Sequence, residues 1–338
     1  MKFIPNEIYQ KFILRIKSVE SLLKKEKSIV VAVSGGPDSM FLLLLLYNFS
    51  IKNKLKLIPV YINHKVRTQK EIEKDIQTIK LFCKDKNLEL IVKEISAEKK
   101  DEETLRELRY KKLFEVAKKF STKLIATAHT LDDVVETFFL NLLRGTGIKG
   151  LCSIPAIREE KFQNSTFYII RPIIDISKNE LLDVLKQQKI KYTIDRTNKE
   201  ILYKRNLFRN KISPLLFKIN TNYKSNILKT IELLQQTYNF IDEIILEKAY
   251  SVIKTKKDEV RIDLKKFLMY NNFIKRELLH RVLSDVAIRH KLRFKQGYKA
   301  TIEKILSFIN NLKEKELFVN KNLNLIKVRN TLKLKINK

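Results

Sequence analysis

The feature that most constrains this chain is an alternation. In its first half, short runs of β-branched and aliphatic residues take turns with stretches of helical length. Ser28–Val33, Leu57–Asn63, Leu88–Ile95 and Leu124–Ala128 read as strands; Asp38–Ser50, about Thr68–Lys86, about Glu102–Phe120 and Leu131–Leu143 read as helices. Strands joined through a helix run parallel, and a parallel sheet is buried on both faces. The expected class is therefore α/β, a parallel twisted sheet with helices on both faces. Ligands of such sheets sit beyond the carboxyl ends of the strands, so the residues that follow each strand are where function is sought. Tyr168–Ile174 and Ser177–Gln188 read as a further strand and helix.

The character then changes. Asn222–Tyr250 has helical spacing with neither glycine nor proline, and 273–289 and 297–313 also read as helices. The last stretch, ELFVNKNLNLIKVRNTLKLKINK, alternates apolar residues with Lys, Arg and Asn at period two, the pattern of a small antiparallel sheet with one basic face. The expected organisation is a first domain over 1–215, a linker helix over 216–250, and a basic helical plus small β C-terminal domain over 251–338.

Lys and Arg outnumber Asp and Glu by 69 to 38, a net charge of +31, and the part after residue 200 is the more basic per residue. A field of that sign favours a polyanion, most often nucleic acid. The competing explanation is an AT-rich genome that enriches Lys, Asn and Ile on a solvated surface. Two cysteines, Cys83 and Cys152, without a Cys-x-x-Cys pair, suit a reducing cytoplasm and supply no disulfide framework or metal cluster. The N-terminus has no signal-peptide apolar core, and the longest apolar run, Met40–Tyr47, is far short of the ~20 residues of a membrane span. No membrane partner is expected.

Only six glycines occur in 338 residues, and two of them stand together in Ser34-Gly35-Gly36-Pro37-Asp38-Ser39, between the first strand and its helix. A glycine turn at a helix N-terminus exposes backbone N–H groups, admits a phosphate closely and adds positive potential. Pro37 suits the first helical turn, and the hydroxyls of Ser34 and Ser39 can donate. Asp38 is the odd member, since a carboxylate repels phosphate. It makes sense with Mg²⁺ between them, because magnesium joins one or two carboxylates to phosphate oxygens. An ordinary capped strand-to-helix turn is the bland alternative. The Walker A pattern is absent.

Further motifs follow the other strands. The second strand ends in Asn63-His64-Lys65-Val66-Arg67. The fourth ends in Thr127-Ala128-His129, followed by Asp132, Asp133 and Glu136. His129, Asp133 and Glu136 are spaced to share one helix face. Two acids beside a histidine can bind metal, hold an amine or accept a proton, whereas Asp132 reads as an acid complementing the helix dipole. Arg106 and Arg109, one turn apart, suit a carboxylate or phosphate, with a surface Glu–Arg pair as the alternative. Arg144 lies in the glycine loop Leu143-Arg144-Gly145-Thr146-Gly147.

SGGPDS resembles the PP-loop of the N-type ATP pyrophosphatases, which cleave ATP between the α and β phosphates and activate an oxygen as an adenylate. Together with NHKVR, ETLRELRY, TAHTLDDVVET, LLRGTGIKG, Ile170-Arg171-Pro172, Asp195-Arg196-Thr197-Asn198 and Tyr203–Asn210, the chain resembles the tRNA(Ile)-lysidine synthetases over about residues 25–215. It departs from their pattern at Thr130, where His is frequent, and at Arg196-Thr197. The resemblance implies an adenine nucleotide alpha hydrolase-like (Rossmann-like) catalytic domain over 1–215 that uses ATP and Mg²⁺. The implied reaction adenylates the C2 oxygen of cytidine 34 in a tRNA(Ile) with a CAU anticodon. The ε-amine of free L-lysine then displaces AMP, changing codon reading from AUG to AUA and charging identity from Met to Ile. It further implies roles. Asp38 would hold the metal; Ser34, Gly35, Gly36, Pro37, Asp38, Ser39, His64 and Arg67 would bind ATP. Arg109, Asp133 and Glu136 would bind lysine, with Asp38, Arg109, His129, Asp133 and Glu136 as catalytic residues. Arg144, Arg205, Arg209, Lys291, Arg293 and Lys295 would meet tRNA, with Lys299, Lys327, Arg329, Lys333 and Lys335 as further basic contacts. A homodimer is implied by the resemblance alone. The competing enzyme is a tRNA thiolase of the same superfamily, which needs paired cysteines. An amidotransferase-type PP-loop enzyme and a non-catalytic RNA-binding protein are the other readings.

Overall fold

The computed structural model describes residues 4–65, 68–96, 101–194, 201–256, 259–290, 292, 297–311 and 313–336. Two helices, α1 (Asn6–Lys17) and α2 (Glu20–Glu26), precede β1 (Ser28–Ala32). The chain then alternates through α3 (Pro37–Asn53), β2 (Lys56–Asn63), α4 (Gln69–Asp85), β3 (Ile91–Glu94), α5 (Glu102–Lys119), β4 (Leu124–Ala126), α6 (Leu131–Leu143) and the short α7 (Ile148–Leu151). A hairpin of β5 (Ile157–Phe162) and β6 (Ser165–Ile170) follows, then α8 (Lys178–Gln187), α9 (Ile201–Leu207), a single π-helical turn at Phe208–Ile212, α10 (Ser213–Ile219) and α11 (Tyr223–Val252).

The first sheet has the order β3-β2-β1-β4-β6-β5. β1 pairs in parallel with β2 on one side and β4 on the other, β3 and β6 extend the parallel set, and β5 closes it as an antiparallel edge. Because the chain moves outward from β1 to β2 and later returns to its other side, the crevice beyond β1 and β4 is the topological switch point where such sheets hold ligands. Successive residues of β1 serve opposite layers, as the two-residue strand period requires. Ile29 and Val31 join the core with α1, α3, α4 and α8; Val30 joins the one with α5. The run Met40–Leu46 is buried throughout, so α3 is apolar on all sides near its start because it is covered on all sides.

The parallel sheet with helices on both faces is as expected. Two details differ. The last parallel strand is Ser165–Ile170 rather than 168–174, and the β5 strand beside it was not expected. β5 reads IREEKF, with charges on an edge strand that has no apolar run to betray it.

Two compact units divide the chain, Met1–Gln235 and Gln236–Lys338. The first extends beyond residue 215 because Phe208, Ile212, Leu216, Tyr223, Ile227 and Leu228 form a satellite cluster with Leu131, Val135 and Phe139 of α6. The second unit holds β7 (Ile253–Thr255), β8 (Glu259–Asp263), α12 (Leu264–Leu268), α13 (Asn272–His290), α14 (Gly297–Asn310), β9 (Glu316–Asn320), β10 (Leu323–Val328) and β11 (Thr331–Ile336). Its antiparallel sheet has the order β7-β8-β11-β10-β9. Leu323, Leu325, Leu332 and Leu334 face the core it shares with α13 and α14, and Lys333 and Lys335 take the alternate positions of β11. Among the described residues no helix is long and apolar enough to cross a membrane.

Candidate active site

The loop between β1 and α3 is built on its own hydrogen bonds. Ser34 N donates to Ser39 Oγ at 3.1 Å, Ser39 Oγ lies 2.9 Å from Gly36 O as donor, and Met40 N donates to Gly36 O at 3.0 Å. Pro37 opens α3, where a missing N–H costs nothing. Gly35 has φ +81°, and a Cβ there would lie 3.0 Å from Thr193 Oγ1 and 3.3 Å from the Asp75 Cα. The glycine is thus required by conformation and by close approach together. Behind the loop, the buried Asp75 of α4 accepts from Thr193 Oγ1 at 2.5 Å and from the Tyr61 hydroxyl at 3.3 Å, and Thr193 N donates to Gly35 O at 2.8 Å. The sequence reading missed Asp75 and Thr193. The available signal was a carboxylate on the apolar stripe Ile72–Asp75–Ile79, all three buried.

Asp38 stands in the first turn of α3. Burial pushes its carboxyl up from the ordinary range, Lys178 pulls it down and Asp133 pushes it up again. Lys178 Nζ lies 3.3 Å from Asp38 Oδ2, while Asp38 Oδ1 is buried without a hydrogen-bond partner. An unpartnered carboxylate oxygen beside a phosphate-shaped loop fits a hard cation completed by phosphate oxygens; among the described residues no cluster of three His, Cys, Asp or Glu side chains forms a protein-only metal cage. Lys178, at the start of α8, is a site residue that sequence reasoning did not single out.

The three acids of α6 do three different things. Asp133 Oδ2 accepts from Thr130 N at 2.9 Å and Thr130 Oγ1 at 3.0 Å, a capping box that starts the helix. Its other oxygen faces Arg209 Nη2 at 3.3 Å. Glu136, 1% exposed, has Arg209 Nε 2.6 Å from one oxygen and Arg205 Nε 3.0 Å from the other. Burial pushes the Glu136 carboxyl up, opposed by the two arginines. Asp132 accepts from Lys178 N at 2.8 Å and Lys224 Nζ at 2.6 Å, tying α8 and α11 to α6. Arg205 and Arg209, expected either to face the tRNA or to help close the site, here pair with the acids. Arg209 sits in the π turn, a feature often found at functional positions.

His129 follows β4, its Nδ1 3.1 Å from Thr127 Oγ1. Burial first, then Arg171, Arg106, Arg109 and Arg205, hold its pKa well below the ordinary histidine value, so the ring is neutral. Arg106 and Arg109 of α5 stand 5.2 and 5.6 Å from the Tyr110 ring centroid, joined by Arg158 of β5 at 5.0 Å. His64 follows β2 and is half-buried. Arg144, at the C-terminal end of α6, is exposed, and Gly145 behind it has φ +71°. In the second unit Lys299 is exposed and Arg329 sits in the β10–β11 turn at φ 51°. Lys327 Nζ is engaged, donating to Asn311 O at 2.6 Å and lying 4.3 Å from the Phe308 ring centroid. Arg67, Lys291, Arg293 and Lys295, and the Asp195–Asn198 string, lie outside the described residues.

One crevice thus joins the SGGPDS loop, Asp38, Lys178, His129 and the acid pair at the carboxyl ends of β1 and β4. Comparison with known proteins bears on the family and the fold. A family model described as a PP-loop domain matches residues 7–216. The tRNA(Ile)-lysidine synthase of Caldanaerobacter subterraneus subsp. tengcongensis is 31% identical over 282 residues, covering 80% of this chain and 58% of that protein. That of Borrelia garinii subsp. bavariensis is 30% identical over 309 residues, covering 88% and 67%. The chain spans about three-fifths of the length of the curated relatives it matches. Among solved structures, the U34-tRNA thiolase NcsA from Methanococcus maripaludis superposes with a TM-score of 0.56 at 19% identity, covering 68% of this chain and 81% of that one; at that identity the likeness speaks for the fold. The chain belongs to the PP-loop family and, within it, to the tRNA(Ile)-lysidine synthase family.

Proposed function

We propose that this chain is an ATP-dependent cytoplasmic ligase that forms lysidine at cytidine 34 of a tRNA(Ile) bearing a CAU anticodon. The observation that carries the reading is the meeting of a phosphate loop, with its unpartnered Asp38 oxygen, and the buried acid pair Asp133–Glu136 in one crevice. The cytidine C2 oxygen attacks the α-phosphate of ATP and pyrophosphate leaves. The lysine ε-amine then attacks C2, the C2–O bond breaks, AMP departs with the oxygen, and the nitrogen loses its protons.

Residue roles follow from position. Backbone N–H groups of Ser34–Ser39 hold the departing pyrophosphate, with His64 and Arg67 assigned to ATP. Asp38, through its free oxygen, would hold Mg²⁺, which when bound offsets the charge of the phosphates. Lys178 adds a cation on the same side. A lysine ammonium has a solution pKa of ~10.4 and has to be deprotonated before attack. Asp133 and Glu136 suit that task, since in this arrangement they already hold cations, Arg205 and Arg209, where the ammonium is to sit. Neutral His129, on which Arg106, Arg109 and Arg205 act, is assigned to the reacting centre, and Arg109 is assigned to the substrate carboxylate. Arg144, exposed in its glycine loop, and the basic second unit are assigned to the tRNA.

Thiolation fits less well. The Cys83 thiol is buried and its pKa is pushed up to about 11, and burial raises that of Cys152 too, the reverse of what a reactive thiolate needs. Incubation with ATP, Mg²⁺, labelled lysine and unmodified tRNA(Ile) tests the proposal. Lysine incorporated into RNA with release of AMP is the expected result; ATP turnover that leaves the RNA unlabelled overturns it.

A further inference from the structure

Beneath the phosphate loop runs a chain of hydrogen bonds that starts on β2 and ends on the loop's own backbone. The Tyr61 hydroxyl donates to Asp75 Oδ2 at 3.3 Å, Thr193 Oγ1 donates to Asp75 Oδ1 at 2.5 Å, and Thr193 N donates to Gly35 O at 2.8 Å. Tyr61, Asp75 and Thr193 are all buried. Four segments distant in sequence thus meet under the two glycines: β2, α4, the stretch after α8 and the turn after β1. An interior carboxylate is costly to keep unless hydrogen bonds hold it. An apolar side chain at position 75 would instead continue the buried stripe of Ile72 and Ile79. What Asp75 contributes is therefore sought in what it holds.

It holds Thr193, and Thr193 holds a peptide plane. The Gly35–Gly36 peptide is trans, so its C=O and its N–H point opposite ways. With Gly35 O fixed by Thr193 N, the Gly36 N–H is turned away from Thr193. Its hydrogen bond within the loop, to Ser34 Oγ, is 3.4 Å long, a weak contact that an anion's oxygen can replace. Paired glycines make a pliable turn, and a ligand that had to order it would lose affinity. The clamp removes that freedom before the ligand arrives. The same atoms shape the turn from below, since a Cβ on Gly35 would meet Thr193 Oγ1 at 3.0 Å and Asp75 Cβ at 3.3 Å.

We infer that Asp75 and Thr193 are positioning residues for the pyrophosphate end of ATP, acting through Gly35 to fix the peptide plane whose N–H meets the anion. They work from behind the loop and are not catalytic residues. The inference rests on the reading of Ser34–Ser39 as the ATP phosphate loop and is independent of which acceptor is adenylated.

The test measures binding of inorganic pyrophosphate, ATP and AMP to the full chain by calorimetry, with Mg²⁺ and without lysine or tRNA. AMP lacks the β and γ phosphates and so reports on the rest of the site. Thr193→Val removes the hydroxyl at nearly constant volume, Thr193→Ser keeps it, and Asp75→Asn keeps the size of the acid while weakening the acceptor. Thr193→Val is expected to weaken pyrophosphate and ATP about ten-fold, the scale of one hydrogen bond to a charged group, and Asp75→Asn about three-fold. AMP affinity stays within about two-fold of wild type in both, and Thr193→Ser binds all three ligands within about two-fold of wild type. A merely structural role would lower the melting temperature and leave the affinities in place, or weaken AMP as much as pyrophosphate; either result overturns the inference, as does a serine variant as weak as the valine one. Should Thr193→Val fail to fold, the pyrophosphate-to-AMP comparison in Asp75→Asn decides by the same criteria. Wild-type protein that binds neither ATP nor pyrophosphate overturns both this inference and the loop reading beneath it. A failure to form lysidine, measured separately, bears on the ligase reading alone.

Discussion

Gly35 shows how a single residue's conformation becomes function. Its φ of +81° and the 3.0 Å approach to Thr193 leave no room for a side chain, so Gly35→Ala is expected to cost about 1–3 kcal/mol and to raise KM for ATP more than it lowers the melting temperature. Urea denaturation beside ATP kinetics checks it; an alanine variant with normal ATP affinity would show the loop tolerates displacement. Glu136 makes the complementary case. Removing it strands two guanidiniums that now meet both of its oxygens. Glu136→Ala is expected to destabilise by about 2–3 kcal/mol, at the low end for a broken buried pair because the arginines are partly exposed. Adding Arg209→Ala returns part of that stability but no lysine transfer, a non-additivity that a double-mutant cycle reads directly. His129 gives a pH dependence. The fold holds its pKa down, so the unfolded chain binds a proton that the folded chain refuses. Stability is therefore present above the ordinary histidine pKa of ~6.5 and falls as the pH drops below it. His129→Asn is expected to flatten that acid-side slope in denaturation midpoints measured across the range, and an unchanged slope would assign the acid sensitivity to other groups. At this scale the sequence was most informative where chemistry is local. Asp38, Asp133 and Glu136 stood in short strings whose types and spacing had few other uses. Asp75 and Thr193 behind the loop and Lys178 beside Asp38 come from distant segments, and nothing in a lone Thr or Lys announces where a chain about 100 residues away will bring it.

At the scale of elements, local periodicity predicted what local periodicity decides. The buried strands β1, β2 and β4 and helices α3 through α6 were legible because each carries its own apolar pattern. The β5 edge was not, since half-exposed charged residues at period two resemble a loop. Nor was the docking of α8 and α11 on α6. Asp132, which reads as a plain helix-dipole acid, accepts from the backbone of Lys178 and from the Lys224 ammonium. Asp132→Ala is therefore expected to cost about 1–3 kcal/mol, more than the few tenths of a dipole contact. It should also lower ATP turnover by displacing Lys178 from Asp38. Thermal unfolding and steady-state kinetics of the same variant separate the two effects; a stability loss of a few tenths would return Asp132 to its simpler role.

At the scale of the whole chain, the net charge of +31 takes on structure in the second unit. On its antiparallel sheet Lys254 of β7 is the register partner of Arg261 of β8, and Arg261 that of Lys333 of β11. Direct cross-strand partners share a face, and like charges placed so are destabilising. Glu259, which pairs with Arg261 and also acts on Lys333 and Lys335, offsets part of this charge; the row still carries three cations on one face. A fold keeps such a row at little profit to its own stability, which points to an anion outside the chain. If the row grips tRNA phosphates, each contact contributes to the steepness with which affinity falls with salt, at about 0.7–0.9 in the log–log slope. Lys254→Gln with Lys333→Gln is expected to leave the protein as stable as wild type or slightly more so, to weaken tRNA binding at low salt by ten-fold or more, and to reduce the slope by between one and two. ATP binding, which belongs to the first unit, is unaffected. A double variant with the wild-type slope would move the RNA contacts elsewhere on this basic surface, and the repulsive row would then have no ligand to explain it.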